Sequence, residues 1–298
     1  MKLGIIGTSR ITDDHIKVIK KLGHDILFIS STRKKSKRLT ILSKKHKIKK
    51  FFDWKKSIKF AEEFNDCNFL ITTRIKDNFK ILKECIKKKR FIFVEKPVFL
   101  KSKDFKSFQK NNKIFVGYNR IFYNNIKKLK KKISRKKNLN IIVKCPEDSQ
   151  QNILKNSCHI FSILNFLFGN LKLVLSNKSK SYINCILKSR NNCSFYLTFN
   201  FKSSDNYSIE IFDKKTRYVL SPIEYLKIYN KIMIKQVKNN YIYNPQTSQI
   251  MNEYNQNKFK PGFLSQMKQF VKFTKGEKIT NDIDFSKKII ELCEKILK

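Results

Sequence analysis

The stretch Phe91-Ile92-Phe93-Val94-Glu95-Lys96-Pro97 indicates the fold most directly, because an apolar, strand-like run ends abruptly in a carboxylate, an amine and a proline. A buried strand with this ending places two opposite charges at its C-terminal end. In open α/β sheets, ligands bind at the carboxyl ends of the strands. Lys96 is therefore a candidate for chemistry, although it could also be one more surface lysine in a lysine-rich chain.

Strand and helix signals alternate around this stretch and predict a parallel, doubly wound sheet over about the first 120 residues. The strand-like runs cover residues 2–6, 26–29, 48–52, 69–72, 91–94 and 114–117. The helical patterns cover residues 12–22, 35–45, 78–88 and 105–109. Later strand-like runs, parted by polar turns, cover residues 171–175, 181–187, 194–201, 207–212, 217–220 and 224–229, before helices at 262–273 and 285–297.

The first strand-turn-helix unit carries a partial dinucleotide-binding motif. Glycines in such a turn let the backbone approach a pyrophosphate at the helix N-terminus. Here the G-x-G-x-x-G template falls on Gly7-Thr8-Ser9-Arg10-Ile11-Thr12, where only the first glycine is present. The turn is either a degenerate phosphate-binding loop or an ordinary connection between a strand and a helix.

The end of the second strand normally selects between the two nicotinamide cofactors. An acidic residue there accepts a hydrogen bond from the ribose of NAD, whereas an arginine accommodates the 2′-phosphate of NADP. This chain has Ser30-Ser31-Thr32-Arg33-Lys34-Lys35 and no acid. Hydroxyls and cations suit a phosphate, so the sequence favours NADP over NAD, with Arg33 as the planar donor. The alternative is chance, because basic residues occur throughout the chain.

Composition sets limits on location and metal binding. The 298 residues suffice for one large or two ordinary domains. No apolar run reaches 18 residues and no signal peptide is evident, so we expect a cytoplasmic protein that does not span a membrane. Seven scattered cysteines without a C-x-x-C pair, and four histidines, predict reduced thiols and no metal site.

The formal net charge of +43 raises the question of nucleic-acid binding. The cations are mostly lysines spread over the whole length, and isoleucine, asparagine and phenylalanine are abundant with them. We interpret the charge as a solvated coat rather than a specific nucleic-acid surface, because charge of one sign implies only salt-sensitive association. The densest patch, residues 127–137, predicts an amphipathic helix with a basic outer face.

Several motifs together resemble the Gfo/Idh/MocA family (glucose–fructose oxidoreductase, inositol dehydrogenase and MocA). They are the degenerate glycine turn, Glu95-Lys96-Pro97, Val116-Gly117-Tyr118-Asn119-Arg120, His159 before an apolar helix, and Lys260-Pro261-Gly262-Phe263. The resemblance implies an N-terminal Rossmann domain over residues 1–119. It also implies a C-terminal α+β domain over residues 120–298, with a large, mostly antiparallel open sheet. The resemblance leaves open whether the C-terminal helix packs back on the first domain.

The resemblance further implies hydride transfer between a nicotinamide and a hydroxyl or keto carbon of a sugar or nucleotide sugar. Lys96 would polarise the substrate oxygen, and His159 would be the general acid/base, a role that suits an imidazole. The implied cofactor-binding residues are Gly7, Thr8, Ser9, Arg10, Ile11, Ser31, Thr32, Arg33, Thr72, Thr73, Glu95 and Lys96. The implied substrate-binding residues are Lys96, Tyr118, Asn119, Arg120, Lys155, Asn156 and His159. A homo-oligomer formed through the C-terminal sheet is also expected.

The segment before the histidine departs from the family pattern. Lys155 and Ser162 occupy positions where family members often carry aspartates. A cation beside the imidazole would depress the histidine pKa and could recruit an anionic substrate; alternatively, Asn156 or Ser157 orients the ring. The segment Asn156-Ser157-Cys158-His159 resembles the shorter Asn-Ser-x-His segment of family members that act in surface-polysaccharide sugar pathways. Three hypotheses stay open: the sugar oxidoreductase, a catalytically impaired nucleotide- or sugar-binding module, and a nucleic-acid-associated protein.

Overall fold

The computed structural model describes residues 1–109, 111–254 and 258–298. The chain forms two compact units. The first consists of residues 1–122 and 259–291, and the second of residues 123–258 and 292–298. The first unit is therefore discontinuous in sequence. The domain division inferred from the sequence, at residues 119 and 120, stays a prediction.

The first unit contains a parallel sheet, which confirms the predicted Rossmann architecture. Its strands are β1 (Lys2–Ile6), β2 (Asp25–Ser30), β3 (Lys50–Phe51), β4 (Cys67–Ile71), β5 (Ile92–Glu95) and β6 (Ile114–Gly117). Among the described residues, they pair in the order β3-β2-β1-β4-β5-β6, and every pair is parallel. This is the strand order of dinucleotide-binding folds, in which ligands bind at the carboxyl ends of the strands.

Helices cover this sheet with their apolar stripes. They are α1 (Thr12–Lys21), α2 (Lys37–His46), α3 (Trp54–Ala61), α4 (Ile75–Lys87) and, later in the chain, α8 (Phe263–Thr274) and the first part of α9 (Ile283–Leu297). The sequence analysis did not predict α3, which begins after Asp53, whose carboxylate accepts a hydrogen bond from Lys55 N at 2.8 Å. The helix predicted at 105–109 is a 3₁₀ helix, Ser102–Phe108.

Aromatic side chains join α8 to the sheet. The centroid of the buried Phe270 ring lies 5.5 Å from that of Phe93 and 5.6 Å from that of Phe115. Both pairs have the edge-on arrangement that aromatic rings favour. Beyond α8, Val116 N donates to Asn281 O at 2.8 Å, and Asn281 Nδ2 donates to Val116 O at 2.5 Å. Residues 259–291 thus complete the core beside β5 and β6.

A charged cluster connects α1 to α2. The carboxylate of Asp13, in the first turn of α1, lies 2.9 Å from Lys17 Nζ, 3.1 Å from Lys45 Nζ and 2.7 Å from His46 Nε2. Burial opposes ionisation, but the hydrogen bonds from His46, Lys17 and Lys45 outweigh it and hold the pKa of Asp13 well below its usual range. The ionised carboxylate therefore stabilises the contact between the two helices.

The second unit contains a large open sheet that is mostly antiparallel, as the sequence predicted. Its strands are β7 (Asn140–Glu147), β8 (Leu171–Lys178), β9 (Tyr182–Ser189), β10 (Ser194–Phe201), β11 (Ser208–Asp213), β12 (Thr216–Leu220), β13 (Tyr225–Val237) and β14 (Asn240–Asn252). Among the described residues, the order is β14-β13-β12-β11-β7-β10-β9-β8. The pair β7 and β10 is parallel, while the other pairs are antiparallel.

Alternating burial along β7 and β10 shows that one face of this sheet is covered. The helices of the unit include α5 (Asn124–Ile133), the single turn α6 (Gln150–Asn152) and α7 (Cys158–Phe168). The buried residues of α5 include Ile126, Leu129 and Ile133, the spacing that predicted an amphipathic helix. A π-helical turn, Ile153–Ser157, lies between α6 and α7.

The hairpin of β13 and β14 carries large apolar side chains that are open to solvent. Ile234 and its cross-strand partner Tyr243 are 60% and 64% exposed. The sequence analysis placed a strand only at residues 224–229 and did not predict β14. Elsewhere, all seven cysteines are buried thiols. Within the described part of the chain, none of the helices combines the length and the hydrophobicity needed to cross a bilayer.

Candidate functional site

A cavity of about 820 Å³ opens where β1, β2 and β4 end, at the carboxyl edge of the parallel sheet. It brings together nine residues predicted from the sequence to bind a cofactor: Gly7, Thr8, Ser9, Arg10, Ser31, Thr32, Arg33, Thr72 and Thr73. It is also lined by residues that the sequence analysis did not select: Lys35, Ser36, Lys37, Arg38 and Arg74. Ile11, another predicted residue, is the N-cap of α1.

Gly7 permits a close approach between two backbone segments at the floor of this cavity. Its φ is +118°, and an added Cβ would lie 2.4 Å from the carbonyl carbon of Thr72 and 2.7 Å from Thr73 N. Gly7 N donates to Ser30 O at 2.8 Å, which fixes the turn against β2. The first position of the motif therefore requires glycine, because any side chain would meet backbone atoms.

Hydroxyl groups take the two positions where the motif lacks glycine. Ser9 Oγ lies 3.3 Å from Thr12 Oγ1, which lies 2.8 Å from Thr72 Oγ1. Thr12 is fully buried at the start of α1. These contacts hold the start of α1 against the residue that follows β4. The first N–H groups of a helix have no partner within the helix, and they are the groups that bind phosphate in dinucleotide-binding folds.

The lining of the cavity is strongly cationic. Arg10, Arg33, Lys35, Lys37, Arg38 and Arg74 all line it, and no acidic side chain is among its described lining residues. The N-terminus of α2 also faces it, with Ser36 Oγ accepting a hydrogen bond from Leu39 N at 3.2 Å. Two helix N-termini and six cations, of which Arg74 is paired with Asp77, give the cavity the chemistry that an anion with several phosphate groups requires.

One carboxylate restrains the rim of the cavity. Thr32 Oγ1 donates to Asp77 Oδ2 at 3.0 Å, and Arg74 Nε donates to the same oxygen at 3.1 Å. The sequence analysis did not select Asp77, because it lies on α4 and reaches the end of β2 only through folding. On the other side of the loop, Thr73 Oγ1 donates to Asn78 Oδ1 at 2.6 Å.

The Glu95-Lys96-Pro97 element follows β5, next to the strands that form the cavity. Glu95 Oε1 lies 2.6 Å from Nε2 of the fully buried His15, and Glu95 Oε2 accepts from Lys96 N at 3.3 Å. The peptide bond between Lys96 and Pro97 is cis. The His15 ring packs against Phe93 and Phe263. Glu95 therefore connects the half-buried Lys96 to α1, the helix whose N-terminus faces the cavity.

Tyr118 and Asn119 bind the later segment of the same unit. Tyr118 is fully buried, and its hydroxyl lies 3.0 Å from Ser286 Oγ. Asn119 Nδ2 donates to Pro261 O at 3.0 Å. Arg120, half-buried, follows in the 3₁₀ helix Asn119–Phe122. The predicted substrate role of these three residues stays a prediction.

The remaining predicted residues lie in the second unit, around the start of α7. His159 is the second residue of α7, and its carbonyl accepts a hydrogen bond from Ser162 Oγ at 2.7 Å. Lys155 and Asn156 are exposed on the π-helical turn. The side chains of Asn156 and Ser157, which the sequence analysis offered as alternatives for orienting the His159 ring, both bind the carboxylate of Glu147.

Known proteins share this fold. No protein-family model matches the chain. A curated myo-inositol 2-dehydrogenase from Thermotoga maritima is 28% identical over 138 residues, which cover 45% of this chain and 40% of that relative's length. The solved dehydrogenase MviM from Clostridium difficile has a TM-score of 0.76 at 16% identity and covers 100% of this chain and 98% of its own.

The UDP-N-acetylglucosamine 3-dehydrogenase GnnA from Acidithiobacillus ferrooxidans has a TM-score of 0.76 at 11% identity, with 99% of this chain and 96% of its own covered. These likenesses establish the fold along the chain. Gfo/Idh/MocA-type dehydrogenases are thus its structural neighbours, which confirms the resemblance recognised in the sequence.

Proposed function

We propose that the protein is an NAD(P)-dependent oxidoreductase that transfers a hydride between the nicotinamide and a hydroxyl or keto carbon of a sugar or nucleotide sugar. The observation that carries this proposal is the cationic cavity at the ends of β1, β2 and β4. Gly7 keeps a Cβ out of the phosphate-binding turn, and the N-terminus of α1 supplies donors. The residues present therefore fit a dinucleotide.

The cavity favours NADP. Ser31 Oγ accepts a hydrogen bond from Arg33 N at 3.1 Å, so the backbone of Arg33 is held at the end of β2. From there its guanidinium can form paired hydrogen bonds with a 2′-phosphate, assisted by Lys35, Lys37 and Arg38. This set of cations is denser than a 2′-hydroxyl requires.

The chemistry follows from Lys96 and His159. When bound, the nicotinamide accepts or returns the hydride. Lys96 donates a hydrogen bond to the substrate oxygen and stabilises negative charge on it. His159 takes the hydroxyl proton during oxidation and returns it to the carbonyl oxygen during reduction. Lys155, exposed one turn before His159, would attract an anionic substrate such as a nucleotide sugar.

Titration of the purified protein with NADPH and NADH at two salt concentrations tests the cofactor site. We expect saturable binding that persists at 0.15 M salt, at about the ionic strength where exposed charges are screened beyond roughly 8 Å. Replacing Arg33 with Ala should weaken NADPH binding by about tenfold or more, the loss of a bidentate charged contact, and leave NADH binding nearly unchanged. Equal losses for both cofactors would contradict the assigned role of Arg33.

Arg135→Ala is the matched control, because Arg135 is exposed after α5 and changes the net charge by the same amount. If neither cofactor binds, or if binding disappears with salt, the proposed function fails. Cofactor binding without hydride exchange toward myo-inositol or UDP-N-acetylglucosamine would favour the second candidate, a catalytically impaired nucleotide- or sugar-binding module. The unusual Lys155 motivates that candidate.

Further expectations from the sequence are kept as proposals. They are a place in surface-polysaccharide sugar synthesis, a cytoplasmic location and a homo-oligomer formed through the open sheet of the second unit. Ile142 and Tyr196, on neighbouring strands of that sheet, are 39% and 47% exposed and supply apolar surface for a second copy. The oligomeric state is measurable by sedimentation at two protein concentrations.

A further inference from the structure

A buried carboxylate lies at the end of β7, in the unit that carries His159. Glu147 is 5% exposed. Its Oε2 accepts from Asn156 Nδ2 at 3.1 Å, while its Oε1 accepts from Tyr207 OH at 2.8 Å and from Ser157 Oγ. A carboxylate buried in this way needs such donors to replace the water that it loses. Two of its three donors lie on consecutive residues of one helical turn.

That turn is the π-helical segment Ile153–Ser157. π-Helical turns, with their i→i+5 hydrogen bonds, are rare and occur frequently at functional sites. Their spacing differs from that of an α-helix, so residues in such a turn point in different directions relative to the following helix than they would in an α-helical turn. Lys155 lies within this turn, and His159 lies just after it on α7. The direction of Lys155 relative to His159 therefore depends on whether the turn keeps its π-helical register.

We infer that Glu147 is a positioning residue, which holds the π-helical turn in register and so sets the orientation of Lys155 and Asn156 relative to His159. The inference rests on the proposed function in that His159 is its acid–base group. Glu147 does not need to touch the substrate; it acts through Asn156 and Ser157. Both hydrogen bonds are donated by side chains of the turn and accepted by Glu147, the last residue of β7 in the open sheet. The turn therefore cannot rotate without breaking them.

Tyr207 completes the arrangement from a third segment, immediately before β11. Burial and the adjacent Glu147 carboxylate raise the pKa of Tyr207 far above its usual range, so its hydroxyl stays protonated and donates. The backbone carbonyl of Glu147 also accepts from Lys202 N at 2.8 Å, next to β10. Tyr207 thus holds the carboxylate from a segment outside the turn, and Lys202 N holds the backbone of the residue that carries it.

The test is a Glu147→Gln variant, which keeps the size of the side chain but replaces one acceptor oxygen with an amide group. Glu253→Gln is the matched control, since Glu253 is also 5% exposed and accepts a hydrogen bond at 2.6 Å from Asn125 N, on α5. The readout is the ring resonance of His159 in a ¹H–¹³C spectrum. The chain has four histidines, so His159→Gln suffices to assign the signal.

We expect Glu147→Gln to displace the His159 resonance and to raise amide exchange across residues 153–157 by about tenfold or more, corresponding to about 1.4 kcal/mol. Glu253→Gln should change neither, although both variants lower the melting temperature. An unchanged His159 resonance in folded Glu147→Gln overturns the inference, as does an equal displacement in the control. If Glu147→Gln does not fold, Tyr207→Phe removes one donor and should produce a smaller displacement; no displacement there also overturns it.

This experiment needs no ligand. Cofactor titration probes the first unit, whereas the His159 resonance probes the second. A failed titration would remove the proposed function and leave the positioning by Glu147 measurable. Intact NADPH binding with an unchanged resonance would remove the inference alone.

Discussion

Replacing Gly7 with alanine should destabilise the first unit through contact with backbone atoms. The added Cβ would lie 2.4 Å and 2.5 Å from the carbonyl carbon and oxygen of Thr72, both far inside van der Waals contact. No rotamer change can relieve this contact, because the loop after β4 would have to move. Overpacking of this kind costs about 1–3 kcal/mol, and an L side chain at φ +118° adds backbone strain of about 1–3 kcal/mol.

Gly276→Ala separates the two effects. Gly276 has φ +96°, and a Cβ there would meet no described atom within 4 Å, so this variant carries mainly the backbone strain. We therefore expect Gly7→Ala to be less stable than Gly276→Ala by about 2 kcal/mol, the contact contribution alone. That difference corresponds to roughly 4–8 °C in melting temperature for a unit of this size.

Trp54 makes the measurement specific to the first unit. It is the chain's single tryptophan, and it begins α3, so its fluorescence during urea unfolding follows that unit. NADPH affinity, measured in parallel, should fall in Gly7→Ala and persist in Gly276→Ala. If the two variants unfold within about 0.5 kcal/mol of each other, the close approach at Gly7 is not structurally important and the reasoning is wrong.

Two further predictions concern the same unit. Asp13→Asn should lower the free energy of unfolding by about 1 kcal/mol at pH 7, as expected for a largely surface ion-pair cluster. Because the folded pKa of Asp13 lies below the unfolded value, this stabilisation is fully present above about pH 4 and is lost as pH falls through the folded pKa; a difference that persists undiminished at pH 2 would contradict it. Phe270→Ala removes a fully buried ring and should cost about 3–5 kcal/mol, measured by the fluorescence of Trp54 in urea. A loss below about 1 kcal/mol would show that α8 does not complete the core.

The sequence predicted the parallel sheet because its strands are short apolar runs separated by helical patterns. β1 and β6, for example, have the bounds that the sequence indicated. The long hairpin of β13 and β14 was not predicted, because its sequence lacks such apolar runs. Its strands alternate apolar and polar residues weakly and include Lys231, Lys235 and Pro245, residues that are unfavourable in buried strands.

Within the candidate site, the motif residues were predictable and their partners were not. Gly7 and Arg33 were selected from spacing along the chain, which the turn and the strand end preserve. Asp77 and Glu147 act through contacts with residues that are distant or irregularly spaced in sequence. The π-helical turn has no periodic signal of its own, so the role of Glu147 required coordinates. The helical pattern at residues 35–45 predicted α2, whereas its cap at Ser36 was not identified from the sequence.

The discontinuity of the first unit has a consequence for biosynthesis. Translation produces β5 and β6 well before Phe270 and Asn281, with residues 123–258 made in between. During that interval, the faces of Phe93 and Phe115 that α8 later covers have no permanent cover, and the edge of β6 lacks its bond to Asn281. Domains generally fold as units during synthesis. The nascent first unit is therefore expected to complete its core only after residues 123–258 have left the ribosome, although its first residues leave earlier.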